Sequence, residues 1–189
     1  MRLHLIDGTF ELFRAHYAPR PPHIAPDGRD LKATVGVVRS LLALLRDKDE
    51  AVTHLAVAFD NPITSFRNKL SDGYKTDDGF DPVLRSQFDE VELAVTSSGI
   101  TVWRMIEFEA DDALATAATK WATAPNVEQV RILTPDKDLG QVLSGTNVFQ
   151  IDSIRKREIT EANLLYEKNI AHESVPDFLA LVGDTADGI

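Results

Sequence analysis

The sequence predicts an α/β fold with a mainly parallel central sheet. Short runs that are apolar almost throughout, rather than alternating, recur along the chain, as they do in strands buried on both faces. Between them lie stretches with apolar residues at helical spacing. The 189 residues, 43% hydrophobic and 26% charged, suffice for one domain with a full core. Strand alternating with helix places a parallel sheet at its centre.

In chain order, "RLHLID" (2–7) is the first strand and ends in Asp7. "APRPPHIAPDGRD" (18–30) is a Pro-rich loop. In 33–46, Val37, Leu41, Leu44 and Leu45 form one helical stripe. "HLAVAFD" (54–60) is the second strand and ends in Asp60. The mixture of basic, aromatic and turn residues in 61–81 reads as a partly helical, mobile loop. Residues 82–98 read as a helix stopped by Gly99. A third strand, "ITVWRMI" (100–106), precedes a helix whose stripe is Ala110, Ala113, Leu114, Ala117, Ala118 and Trp121. "VRILT" (130–134) and "NVFQI" (147–151) complete the strands. The remainder, 152–189, reads as a hairpin or loop followed by two short helices. It stops at "GDTADGI" without a polar fade, as a truncated chain would.

Composition excludes several classes. Cysteine is absent, so there are no disulfides or thiolate metal sites, which is compatible with a cytoplasmic location. No apolar run is long enough to span a membrane, and "MRLHLIDGTF" reaches an Asp too early for a signal peptide. The formal net charge of −10 opposes a nucleic-acid partner, unless the acids gather in a cluster that holds cations.

The acids do gather. Ligands of open α/β sheets sit beyond the C-terminal strand ends. Asp7 and Asp60 end strands, and "LTPDKD" puts Asp136 and Asp138 just past another. "FEADD" places Glu109, Asp111 and Asp112 at the head of a helix, and "GDTADG" adds Asp184 and Asp187. Each feature has an ordinary alternative: a strand-end Asp forms turns, and first-turn acids cap helices and meet their dipoles. Those alternatives would have to hold at every site, each at the same sheet edge. Two unit charges 4 Å apart repel by about 4 kcal/mol at an effective dielectric near 20, so such a cluster needs cations. All-oxygen ligation without His or Cys suits Mg²⁺ or Mn²⁺. The excess of carboxylates over one octahedral ion suggests two ions, an arrangement used in phosphoryl transfer. "LIDGT" and "VGDTAD" also resemble haloacid dehalogenase-type phosphatases, but Leu5 stands where their nucleophilic Asp would be.

Taken in order, "LIDGTFELFRAHYA", "AFDNPITSFRNKL", "YK", "EFEADDALATAA", "LTPDKDLGQVL" and "FLALVGDTADGI" resemble the 5′-nuclease family. That family comprises phage flap endonucleases, bacterial 5′→3′ exonucleases and the N-terminal nuclease domain of bacterial DNA polymerase I. The resemblance implies a PIN-like fold over 1–189 with a helical arch at about 61–81. It implies two-metal hydrolysis of DNA near 5′ ends, at flaps and in branched or nicked duplex, leaving 5′-phosphate and 3′-hydroxyl, in replication and repair. Asp7, Asp60, Glu109, Asp111 and Asp112 would serve one ion, and Asp136, Asp138, Asp184 and Asp187 the other. Asp7, Asp60 and Asp112 would also count as catalytic. Lys75 would meet the scissile phosphate, Tyr74 would stack on a nucleobase, and Arg14 and Arg67 would contact the backbone or scissile region.

The chain also departs from the family pattern. Asp78 occupies a place where many relatives have Arg, with Asp77 and Asp81 beside it; Arg85 is the candidate to compensate. The helix–hairpin–helix DNA-binding element expected after residue 189 is not in this chain. A cytoplasmic, nucleoid-associated monomer of bacterial or phage type is expected. The rival readings are a PIN-type ribonuclease and a catalytically silent DNA-binding module.

Overall fold

A computed structural model describes residues 1–71 and 74–183. Its centre is a six-stranded sheet. The strands are β1 (Arg2–Asp7), β2 (His54–Asp60), β3 (Thr101–Met105), β4 (Gln129–Leu133), β5 (Val148–Asp152) and β6 (Arg157–Ile159). They lie in the order β3-β2-β1-β4-β5-β6. The first five pair in parallel, and β6 returns antiparallel along β5 as a hairpin. All five expected strands are present, within a residue or two of their expected ends. β3 is the exception in character: it lies at the sheet edge and none of its residues is fully buried.

Helices cover both faces, and strand periodicity sorts the two cores. Ile6, Val57 and Phe59 point to one side. They pack against α1 (Gly8–Tyr17), α2 (Lys32–Arg46) and α4 (Phe88–Ser97) through Leu12, Val37, Leu41 and Val91. Leu3, Leu5, Ala56 and Ala58 point to the other side and meet α5 (Ala110–Ala122). That interface is small on both sides, Ala56 and Ala58 against Ala110, Ala117 and Ala118, so the helix can lie close to the sheet. Gly8 allows a comparable approach at the start of α1, where an added Cβ would fall 2.7 Å from the Ala58 carbonyl oxygen.

Four points differ from the expected elements or add to them. The helix over 82–98 is two: α3 (Pro82–Arg85) and α4. The chain breaks at the fully buried Gln87, whose Oε1 accepts from Thr34 N–H at 2.9 Å and whose Nε2 donates to the Val83 carbonyl at 3.2 Å. A buried amide cross-linking two helices outweighs continuity of one. Second, α1 follows β1 without an intervening loop, so no turn residue announces it. Third, Leu45 and Trp121 stand exposed on the flanks of their stripes. Fourth, the described residues of 61–81 hold one 3₁₀ turn, Phe66–Lys69, and no α-helix; Pro62 and Gly79 interrupt the segment and no apolar helical face runs along it. The tail forms α6 (Glu161–Lys168) and α7 (Val175–Val182). Among the described residues no helix is long and apolar enough to cross a membrane.

Candidate active site

Parallel pairing puts the C-terminal ends of β1, β2 and β4 at one edge, and the acids follow. Asp7 ends β1 and caps α1, accepting from Phe10 N–H at 2.8 Å, while its other oxygen accepts from the Thr134 hydroxyl at 3.0 Å. Asp60 ends β2 and accepts from Ala110 N–H at 2.6 Å, so it fixes the head of α5. Its own N–H donates to Thr9 Oγ1 at 2.8 Å. Asp136 follows β4, with its N–H on Thr134 Oγ1 at 3.2 Å and its carboxylate accepting from Asp138 N–H at 2.8 Å.

The head of α5 holds the other acids. Glu109 is its N-cap and is buried. It accepts from Ser65 Oγ at 2.5 Å and from the Tyr74 hydroxyl at 3.2 Å. Asp112 accepts from Glu109 N–H at 2.8 Å, closing a capping box. It also receives both arms of the Arg67 guanidinium, at 2.7 and 2.8 Å. Lys75 Nζ lies 3.3 Å from Asp60 and 3.9 Å from Glu109. Asp111 shows no such partner among the described residues, and its Oδ1 is buried and accepts no hydrogen bond.

The electrostatics express this crowding. Burial pushes Asp7 up to about 7, aided by the charges of Asp60 and Asp136 and opposed by the Phe10 N–H and the Thr134 hydroxyl. Burial likewise pushes Asp111 up to about 9, with repulsion from Asp7, Asp136 and Asp60 added and Lys75 opposing. The fork from Arg67 holds Asp112 below the usual carboxylate range. Burial works against the Lys75 ammonium, yet Asp60 and Glu109 outweigh it and raise its pKa. Tyr74 is pushed up to about 12 by burial and the neighbouring Glu109.

A hard divalent cation fits this donor set. The donors are all carboxylate oxygens, one is orphaned, and the pKa values of Asp7 and Asp111 are raised by burial and neighbouring acids, a repulsion that a cation would relieve. Among the described residues no trio of acids is already closed to ligand geometry, and the bonds above give the reason. Lys75 and Arg67 supply the positive charge, holding Asp60, Glu109 and Asp112 toward themselves.

The structure therefore brings Asp7, Asp60, Asp111 and Asp136 into one field, with Glu109, Asp112, Lys75, Arg67 and Tyr74 bonded at its border. Asp138 joins through its N–H bond to Asp136. Arg14 is paired with Glu11 on its own helix. Arg85 bonds Asp77 at 2.7 Å and lies over the Phe88 ring, so it neutralises part of the acidic patch. Asp81 caps α3 and faces His16 at 3.6 Å. Asp184 and Asp187 lie outside the described residues.

Four supporting residues escaped sequence reasoning: Ser65, Thr9, Thr134 and Gln150. Gln150 is 1% exposed, and its Nε2 donates to the carbonyls of Thr134 and Asp136. It thereby ties β5 to the segment that carries the Asp136 carboxylate. A lone amide in an otherwise apolar strand was the available signal. Gln150→Leu is expected to cost about 1–3 kcal/mol for each carbonyl left unpaired, read by urea unfolding. Amide exchange at Asp138 should accelerate; unchanged exchange there would show that the segment holds itself.

Residues 2–172 match the family described as 5′-3′ exonuclease, N-terminal resolvase-like domain. The chain belongs to this 5′-3′ exonuclease family. DNA polymerase I of Rhizobium leguminosarum is 35% identical to it, over 99% of this chain and 19% of that protein. The 5′-3′ exonuclease of Aquifex aeolicus is 31% identical, over 99% of this chain and 63% of that protein. The 5′-3′ exonuclease-family domain described here thus spans about a fifth of the polymerase and under two thirds of the exonuclease. The T5 5′-exonuclease, solved with zinc ions, superposes with a TM-score of 0.73 at 19% identity, over 100% of this chain and 69% of that one. A bacteriophage T5 flap endonuclease, solved with DNA and metal ions, gives 0.74 at 20% identity, over 100% and 69%. The domain has the PIN-like fold of these nucleases.

Proposed function

We propose that this domain hydrolyses DNA phosphodiesters near 5′ ends with two divalent cations, Mg²⁺ or Mn²⁺, leaving 5′-phosphate and 3′-hydroxyl, in replication and repair. One observation carries the reading: Asp7, Asp60, Asp111 and Asp136 meet at one sheet edge, where Asp111 Oδ1 is buried and accepts no hydrogen bond. Asp7, Asp60, Glu109, Asp111 and Asp112 would hold one ion, directly or through water, and Asp136, Asp138, Asp184 and Asp187 the other. Bound divalent ions supply Lewis acidity, which makes water nucleophilic at neutral pH and offsets charge on a leaving oxygen.

The chain's own cations do the rest. Lys75 and Arg67 rest on carboxylates, and both are partly exposed. With divalent ions held by those carboxylates, the two side chains would be free to turn toward a phosphate. Lys75 then faces charge developing on the scissile group, and the Arg67 fork matches phosphate oxygens bidentately. Tyr74 offers a ring to a nucleobase beside them, and Arg14 and Arg85 would add contacts to the phosphate backbone. Ser65 and Thr134, bonded to Glu109 and Asp7, would keep those carboxylates in place.

The test is cleavage of a 5′-flap DNA with Mg²⁺, with EDTA as the control. Product carrying a 5′-phosphate, absent in EDTA, is expected. Release from an RNA hairpin with none from DNA would instead establish the ribonuclease reading. Binding of DNA without cleavage in either ion would establish the silent module.

A further inference from the structure

Two phenyl rings stand beside the carboxylate cluster without a part in the chemistry above. Phe108 immediately precedes Glu109 and is 53% exposed, and Ile106, two residues before it, is 71% exposed. Phe66 immediately precedes Arg67. The two ring centroids are 5.5 Å apart, with planes inclined at 57°. The Arg67 guanidinium carbon lies 4.7 Å from the Phe66 centroid.

The pair is fixed to the site by two bonds. Phe66 N–H donates to the Glu107 carbonyl at 2.8 Å, and Ser65 bonds Glu109 at 2.5 Å. The rings therefore keep a set position relative to the carboxylates. A phenyl ring has no polar tip, so exposing Phe108 gains nothing in hydrogen bonding. Exposed apolar surface beside charged groups marks a binding surface.

The surroundings indicate the occupant. Arg67, Lys69 and Lys75 belong to the same short segment as Phe66, and Lys69 is exposed. Apolar ring faces alternating with cations match a single strand, whose bases stack while its phosphates meet positive charge. A hydrophobic protein partner would have to desolvate those cations without offering anions at matching intervals. We propose that Phe108, backed by Phe66, is a stacking platform for an unpaired nucleobase of the substrate strand, at a position separate from the one assigned to Tyr74. This rests on the reading of the domain as acting on DNA.

The experiment uses DNA hairpins with a single-stranded 5′ tail carrying 2-aminopurine at successive positions, bound in Ca²⁺ to suppress turnover. Stacking quenches this base. The wild-type protein should quench it at one tail position that Phe108→Ala no longer quenches and Phe108→Trp restores. Phe108→Ala should bind the tailed hairpin about five- to tenfold more weakly, within the range of one lost base–aromatic stack, and a blunt hairpin as before. Phe108 is half exposed, so the variant should keep the wild-type far-ultraviolet spectrum. Wild-type quenching in Phe108→Ala, or equal weakening toward tailed and blunt hairpins, would overturn the platform. So would loss of a self-association seen by sedimentation in the wild type, which would make the patch an interface between copies. If the wild-type protein binds and cleaves no DNA, the nuclease reading fails and the platform fails with it. If DNA is cleaved and only the Phe108 effects are missing, the platform alone is wrong.

Discussion

Asp111→Asn is expected to remove measurable cleavage while making the metal-free protein more stable. Both effects have one cause. Asp111 is held among Asp7, Asp60 and Asp136 with a buried oxygen that accepts no hydrogen bond, which suits a cation ligand and ill suits an apo protein. The sign follows from linkage. The folded carboxyl titrates near 9 and an unfolded Asp near 3.9, so between those values the folded state binds more protons. Stability therefore falls as pH rises through that window. In EDTA the wild-type protein should lose stability steadily from about pH 4 to about pH 9, with Asp7 contributing in the lower part. Asp111→Asn should flatten the slope and melt higher at pH 8. In excess Mg²⁺ the order should close or reverse, because ligand binding stabilises only a protein that retains its ligands. A variant that melts lower in EDTA yet still cleaves would contradict the assignment.

The strand ends were legible because burial on both faces leaves a written trace. An apolar run that stops at Asp7 or Asp60 marks both the strand and the edge where its ligand groups collect. The head of α5 was legible for a similar reason, since three acids opening an Ala-rich stripe are conspicuous. What stayed hidden depends on contacts distant in sequence. Nothing local to Gln87 says that Thr34 will claim its amide and break a helix. Ser65, Thr9 and Thr134 are small hydroxyl residues whose partners lie 44, 51 and 127 residues away, and no spacing rule reaches that far. The start of α1 was hidden because Asp7 serves as strand end and helix cap at once, which leaves no turn to read.

The positive charge at the site was only half legible. Sequence order suggests that Lys75 and Arg67 meet phosphate. In the structure they meet Asp60, Glu109 and Asp112. Both readings have one electrostatic cause, since a carboxylate cluster of this density needs counter-charge. Asp112 illustrates the consequence. Its two oxygens are taken by Arg67 and by the N–H of Glu109, so on the proposed reading it would act by holding Arg67 as well as by any ligation of its own.

Lys75→Ala separates this scheme from a purely structural role for the lysine. If the ammonium acts on charge that appears only in the transition state, its loss should lower kcat by about 10²–10³-fold and weaken DNA binding far less. Stopped-flow turnover beside equilibrium binding in Ca²⁺ would read both. The same substitution leaves Asp60 without its cation and Glu109 with Arg67 alone, so the protein in EDTA should melt lower, and Mg²⁺ should restore much of the difference by supplying charge to the same carboxylates. The pH profile adds an independent check. Asp60 and Glu109 hold the ammonium above the ordinary lysine value, so Lys75 stays charged throughout the neutral and mildly alkaline range. Cleavage should therefore show no descending limb from this residue below about pH 10. A descending limb near pH 8 that vanishes in Lys75→Ala would mean that the lysine donates a proton. A variant with normal kcat and weakened binding would mean that it only grips the strand.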